Sequence, residues 1–255
     1  MAQWLRFSHQ GKTGFGILEG EQIRVHSGNM FDSPQATGET LALSGVKVLT
    51  PSVPTKMVAL WNNFQALAAK LGNPAPTAPL YLLKAPNSFL AHDETIRKPK
   101  SYDGKVVYEG ELGIVIGKRA SAVSEADAPK HIFGYTCIND VTAAEIINSD
   151  ATFAQWVRAK SFDTFGVFGP VVATGLDPMT LSIKLVLNGD ERQNYAVSDC
   201  FYSPAKLVSL LSQDLTLEAG DVIAIGTSVG VGSMKSGSDV SVTIEGIGTL
   251  SNRYE

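Results

Sequence analysis

The chain is poor in cysteine, with only Cys137 and Cys200 among 255 residues and no C-x-x-C spacing. That excludes a disulfide scaffold and a cysteine zinc site, and it fits buried thiols in a reducing compartment. Charged residues are also few, at 18%, and the formal net charge is −4 with no Lys/Arg-rich run. Nucleic acid is therefore not an expected partner. No apolar run approaches the roughly 20 residues that span a bilayer, so no membrane partner is expected either. The opening residues, MAQWLRFSHQGKTGFG, lack the continuous apolar stretch of a signal peptide. These absences describe a soluble, cytoplasmic protein.

What is present in quantity is glycine (24), proline (12) and a 44% hydrophobic fraction, a composition suited to many short strands and turns. The expected fold class is mainly β with some α. Residues 1–50 read as a small N-terminal β domain built from WLRFSH, KTGFGILEG, EQIRVHSG and GVKVLTP. Pro51 and Pro54 mark a linker, and residues 57–255 form the main domain. Asn62–Gly72 reads as a short helix with an asparagine near its start and Gly72 as C-cap. LYLLK resembles a strand, and His92 and Asp93 fall in a polar turn. Ser124–Lys130 is a brief helix with Ser124 as N-cap. Thr142 and Glu145 fit a capping box opening a helix through AAEIIN. Lys160 and Asp163 lie in a turn before a new strand. LSIKLVLNGDERQNY is a hairpin turning at Asn188-Gly189. Ser203-Pro204 opens a helix, and SVTIEGIGTLSN closes the chain as a second hairpin.

The stretch VVYEGELGIVIG, Val106 to Gly117, organises the rest. Strand alternation puts Glu109 and Glu111 on one face, with Tyr108, Leu112, Ile114 and Ile116 on the other. Two adjacent carboxylates in so apolar a strand raise each other's pKa unless something compensates. Either the face is wet or a cation sits on it. Asp140, some thirty residues on, ends the strand IFGYTCIN and can neighbour the pair. Three carboxylates without clustered histidine or cysteine select a hard cation such as Mg²⁺ or Mn²⁺. Gly226-Thr-Ser-Val-Gly230 matches the G-x-S-x-G pattern of a hydrolase elbow. However, no helix follows it, and no histidine follows the serine, the four being His9, His26, His92 and His131.

Five ordered segments, VVYEGELGIVIGK, GYTCINDVTA, AKSFDTFGVFGP, LNGDERQ and LEAGDVIAIGTSVGVG, resemble the motifs of the fumarylacetoacetate hydrolase family. The branch most similar is that of 2-hydroxyhepta-2,4-diene-1,7-dioate isomerases and acylpyruvases. The resemblance runs from about Met57 to Asn252 and implies the family's mixed β-roll, in a homodimer. It also implies metal ligation by Glu109, Glu111 and Asp140, with Lys160 beside the metal, Gln193 in the active site and Thr227 contacting a substrate carboxylate. Ser228 replaces the usual proline after Thr227. Leu67 and Lys70 occupy the positions of the His/Glu pair that activates water in many members, and Ala144 stands where an arginine is frequent. The resemblance implies a small-molecule 2-oxo acid substrate and metal-stabilised enolate chemistry. Hydrolysis of a C–C bond in a 2,4-dioxo acid heads the expectations, followed by isomerisation or tautomerisation, then decarboxylation. A metal-dependent binding protein without turnover is the reading of another class. Lys160 or His92 is the expected replacement base, and Trp61, Phe64 or Tyr81 the shaper of a distal pocket.

Overall fold

The computed structural model describes all residues from Met1 to Glu255. Its core is a pair of mixed sheets with three short helices, the mainly β class with some α expected from the composition and the β-roll that the resemblance implies. The larger sheet runs in the spatial order Asp32–Ala42, Gln22–Asn29, Lys12–Glu19, Gln3–His9, Gly166–Ala173, Ile132–Asp140, Gly110–Ile116, Val222–Ala224, Met57–Trp61, Leu80–Lys84. The second sheet orders Asp190–Ala196, Ser182–Leu187, Ser238–Ile244, Gly248–Tyr254 and Thr95–Ile96. A three-stranded patch joins Thr142–Ala143, Val106–Tyr108 and Gly232–Ser233. No helix is long and apolar enough to cross a membrane.

Strand alternation sorts the central residues as the sequence suggested. Tyr108, Leu112, Ile114 and Ile116 join the main core, whereas Val115 joins a second cluster with Ile138, Leu82 and Ala224. Both faces of Gly110–Ile116 are thus buried, which explains why its sequence is nearly continuously apolar. The stretch is not one strand, however. It breaks at Glu109, and Val106–Tyr108 pairs with a different sheet from Gly110–Ile116.

The N-terminal strands are continuous with the larger sheet, because Gln3 and Trp4 pair with Ala173 and Val172. Asp32–Ala42 is an additional strand, mostly exposed. Its polar composition, Pro34 and Gly38 conceal it in the sequence, and an edge position tolerates all three. The hairpin at Asn188-Gly189 has both residues at positive φ, 53° and 86°, as a type I′ turn requires. Ser203 Oγ accepts the Lys206 amide at the start of helix Pro204–Asp214. The Asn62–Gly72 helix begins later, at Gln65, while Gly72 closes it in the left-handed conformation. Asn63 does not cap it. Its side chain instead donates to Ile225 O and accepts from Tyr202 N. The Ser124 segment is a turn leading to a 3-10 helix over Ala128–His131, with Ser124 Oγ accepting the Asp127 amide.

Two corrections concern the site. No capping box forms at Thr142, which is a strand residue; only a 3-10 turn, Ala144–Ile146, follows. Glu145 accepts from Tyr102 OH and Lys105 N. Lys160 lies not in a turn but at the end of the helix Trp156–Lys160. Both cysteines are free and buried.

Asp221 anchors the strand Val222–Ala224 that leads into the site. Its buried carboxylate accepts from Thr55 N, Thr55 Oγ1, Lys56 N and Glu218 N and pairs with Lys56 Nζ. Asp221→Ala would strip the acceptor from all of these at once. It should cost about 3–5 kcal/mol, the range for breaking a buried pair. Urea denaturation reads the loss, and a cost below about 1 kcal/mol would contradict the anchoring role.

Candidate active site

The pairing register assembles three carboxylates. Gly110 lies opposite Asn139, and Asp140 N donates to Glu109 O across the strand ends at 2.8 Å. Glu109 N donates to Asn139 Oδ1. Glu109, Glu111 and Asp140 therefore converge, and one oxygen from each lies within 4.8 Å of the others. Their exposures are 9%, 0% and 0%. The wet acidic face is thereby excluded, and the charge must be balanced from inside the protein.

Two lysines do most of this. Lys160 Nζ donates to Glu109 Oε2 at 2.8 Å and to Asp140 Oδ2 at 2.5 Å. Lys84 Nζ donates to Asp140 Oδ1 at 2.5 Å and to Val141 O at 3.3 Å. Thr142 Oγ1 donates to Glu109 Oε1, and Gly226 N donates to Glu111 Oε2. Glu111 Oε1 is buried with no partner. Three carboxylates against two ammonium groups leave one negative charge uncompensated.

The pKa directions follow this geometry. Burial pushes Glu111 well above the usual carboxylate range, and the nearby Asp140 charge adds to the effect. Burial also raises Glu109, against the pull of Lys160. For Asp140 burial acts upward too, but Lys160 and Lys84 together outweigh it and lower its pKa. Burial acts to lower Lys160, yet Asp140, Glu109 and Glu111 overcome it and hold the ammonium charged. Lys84 is lowered by burial despite Asp140. Lys160 is accordingly a protonated group in this arrangement rather than a free base. An orphaned buried carboxylate oxygen, a residual negative charge and an all-oxygen donor set together fit a hard divalent cation.

Gln193 and Thr227 sit beside the triad without touching its carboxylates. Gln193 Oε1 accepts Gly110 N at 2.9 Å, and its amide donates to Thr227 Oγ1 and Ser228 O. Thr227 Oγ1 and Tyr195 OH both donate to Gly110 O. These residues lace the Gly226–Gly230 loop to the acidic strand. A Cβ on Gly110 would come within 3.3 Å of Gln193 Oε1 and 3.1 Å of Leu185 Cδ1, so the glycine between the two acids admits the lacing. Ser228 is fully buried and is followed by a two-residue strand, Gly232–Ser233, so the elbow pattern is coincidental.

Sequence reasoning missed Lys84 and Tyr195. The signal for Lys84 was its parity with Leu82 in LYLLK, where both are buried and Tyr81 and Leu83 are exposed. Tyr195 likewise shares the buried parity of Gln193. His92 lies in its expected turn, away from the triad, with Nδ1 accepting Ser251 N and Nε2 near Asp93. Leu67 is half-buried and Lys70 exposed on the helix Gln65–Leu71. Phe64 is core, against Tyr195. Tyr81 is exposed on the sheet edge, near Asp214. Trp61 stacks at a tilt on Trp156, one helical turn from Lys160.

Comparison with known proteins agrees with this geometry. Residues 56–255 match the fumarylacetoacetate (FAA) hydrolase C-terminal family, and residues 2–51 match the Rv2993c-like N-terminal family. The oxaloacetate tautomerase YisK of Bacillus subtilis is 33% identical over 256 residues, covering 93% of this chain and 84% of the relative. The crystal structure of 2-hydroxyhepta-2,4-diene-1,7-dioate isomerase from Mycobacterium marinum superposes with a TM-score of 0.91 at 34% identity, covering 100% and 98% of the two chains. Maleylpyruvate hydrolase from Sphingobium sp. SYK-6, solved with manganese(II) and pyruvate, shares the fold at a TM-score of 0.79 and 24% identity, covering 99% and 98%. The chain is an enzyme of the fumarylacetoacetate hydrolase family, similar to isomerases, tautomerases and hydrolases built on the same scaffold.

Proposed function

We propose that this enzyme tautomerises or isomerises a small 2-oxo acid, with Mg²⁺ or Mn²⁺ held by Glu109, Glu111 and Asp140. The observation that carries the choice is the lack of a water-activating base. Leu67 and Lys70 occupy the two helix positions where a His/Glu pair would stand, and His92 is engaged elsewhere. Hydrolysis needs water activated at the site, whereas tautomerisation needs only a proton moved between carbon and oxygen. The similarity to a tautomerase and an isomerase above 30% identity supports the same choice.

A cation bound at the triad supplies Lewis-acid stabilisation of the negative charge that develops on the oxygens of a 2-oxo acid. The chain's own groups do the rest. Lys160 has three N–H donors and uses two of them on Glu109 and Asp140, so one remains for a substrate. It is the group we assign to hold and move the proton: as an enol becomes a ketone it gives one N–H proton to carbon and takes up the hydroxyl proton in exchange. Lys84 orients Asp140 from the opposite side. Gln193, Tyr195 and Thr227 fix Gly110 and the adjoining loop, and thereby the separation of Glu109 and Glu111. We also propose a homodimer, supported by the exposed Leu80, Tyr81 and Leu83 on the edge strand Leu80–Lys84.

The deciding experiment follows a panel of 2-oxo acids by NMR with Mg²⁺, Mn²⁺ or EDTA. Keto–enol or double-bond rearrangement that depends on metal is the expected result. Metal-dependent appearance of pyruvate plus a second acid would replace this reading with C–C hydrolysis. Lys160→Ala should lower kcat by about 10²–10⁴, the usual share of a proton-transfer group. A loss under tenfold would remove Lys160 from the proton path.

Metal binding and pH are linked through the acids. Glu109 and Glu111 have pKa values above the ordinary 4.5 in the folded chain. Above that pH these two groups bind more protons in the folded state than in the unfolded one, and their contribution to the stability of the metal-free protein falls as pH rises, until they ionise. Mg²⁺ competes with those protons, so the stability it adds should grow with pH. Thermal melts at pH 5 and pH 8, with EDTA or Mg²⁺, should show a gap in Tm that widens at pH 8. A gap that narrows would argue against the triad as the metal site. Glu111→Gln should raise the calorimetric Kd for Mg²⁺ more than about tenfold, the lower bound set by outer partners of metal ligands.

A further inference from the structure

A second feature of the molecule lies outside this site. A groove of about 410 Å³ is lined by Arg97, Lys98, Lys100, Ser161, Asp163 and Thr164, among others. None of these three cations takes part in an ion pair, and they stand within four residues of one another. The groove's one carboxylate, Asp163, accepts from Asn87 Nδ2. Three cations against it leave a net charge of +2.

The walls are fixed. Arg97 N donates to Thr164 Oγ1 at 2.9 Å, and Lys98 N donates to Glu255 O at 2.8 Å. Pro99 fixes its own φ between Lys98 and Lys100, and its carbonyl accepts Tyr102 N to close the turn that follows. Three like charges are therefore kept within four residues, repelling one another; the Glu145 carboxylate acts on Lys98 from nearby, while Arg97 and Lys100 have no ion-pair partner. Ser161 Oγ accepts the Ala85 amide at 3.0 Å and keeps its own hydrogen to donate.

We propose that this groove binds a small oxyanion carrying two or more negative charges, through Arg97 and Lys100 with the Ser161 hydroxyl. Lys98 contributes charge, while its ammonium also holds Asp103 O. The groove is built on the same two segments as the site lysines: Ala85 and Ser161, which directly follow Lys84 and Lys160, are joined by the bond just described. Occupancy would brace that junction. The proposal is independent of the reaction assigned above, because no metal and no carboxylate of the triad takes part.

Inorganic phosphate and succinate are the probes, titrated calorimetrically into the full chain with EDTA present so that the triad holds no cation. Saturable binding of either in the millimolar range or tighter is expected, weakening as NaCl is raised. The double variant Arg97→Gln/Lys100→Gln should lose at least tenfold in affinity, and amide NMR shifts in the parent should centre on Ser161–Thr164. Both substituted side chains are exposed, and if the double variant melts early, Lys100→Glu alone supplies the same comparison. Preference for succinate would identify a dicarboxylate as the natural ligand, and preference for phosphate a phosphorylated compound; each supports the groove. No saturation by about 20 mM of either probe, or affinity unchanged in both variants, would overturn it.

Discussion

Five charges buried together set the terms for this protein. Glu109, Glu111 and Asp140 are removed from water and held against Lys84 and Lys160. Isolated charges could not stay ionised there, since desolvation of a single ion costs several kcal/mol even after relaxation. The two ammonium groups hold Asp140 ionised and lower its pKa, but they leave Glu111 with an unpartnered oxygen. With all five groups ionised the cluster is one positive charge short of neutrality, a deficit that a proton held on Glu111 relieves when no cation is bound.

The surrounding architecture serves to keep these charges in register. Glu109 sits at the break where the acidic stretch passes from one sheet to another, and Asp140 closes the neighbouring strand. The short helix Trp156–Lys160 delivers one lysine, and the edge strand Leu80–Lys84 delivers the other. Behind Gly110, the amide of Gln193 and the hydroxyls of Tyr195 and Thr227 satisfy backbone groups that would otherwise be buried unpaired. Residues that the family resemblance associates with substrate thus hold the acidic strand and its loop together in this conformation.

The proposed reaction rests on the absent water-activating pair. A half-buried Leu67 and an exposed Lys70 stand where that pair would be, and Lys160 is held charged by its three acidic neighbours when no cation shares them. The same cluster can still move a proton, because an ammonium with an unused N–H is a donor in place. Tautomerisation and isomerisation make the smallest demand on such a site.

Much of this was readable from the residues alone. Local rules placed the acids on one face, the Asn188-Gly189 turn, the Ser203 cap and the Gly72 stop, since each depends on neighbours within a few positions. The spacing of Asp140 from the acidic strand already suggested a cation site. Lys84 was not readable as part of the site. A lysine in a short strand pairs with Asp140 only because Leu80–Lys84 folds to the edge of the sheet, 56 positions earlier in sequence. Thr142 and Glu145 show the opposite failure: a good local capping pattern lost to tertiary pairing, with Thr142 drawn into a strand to donate to Glu109. The amino-acid sequence by itself pointed to the acidic groups and to Lys160, to which we assign the cation and the proton. The tertiary structure alone decided how those charges are balanced, because burial and long-range ion pairs depend on contacts that no local pattern encodes.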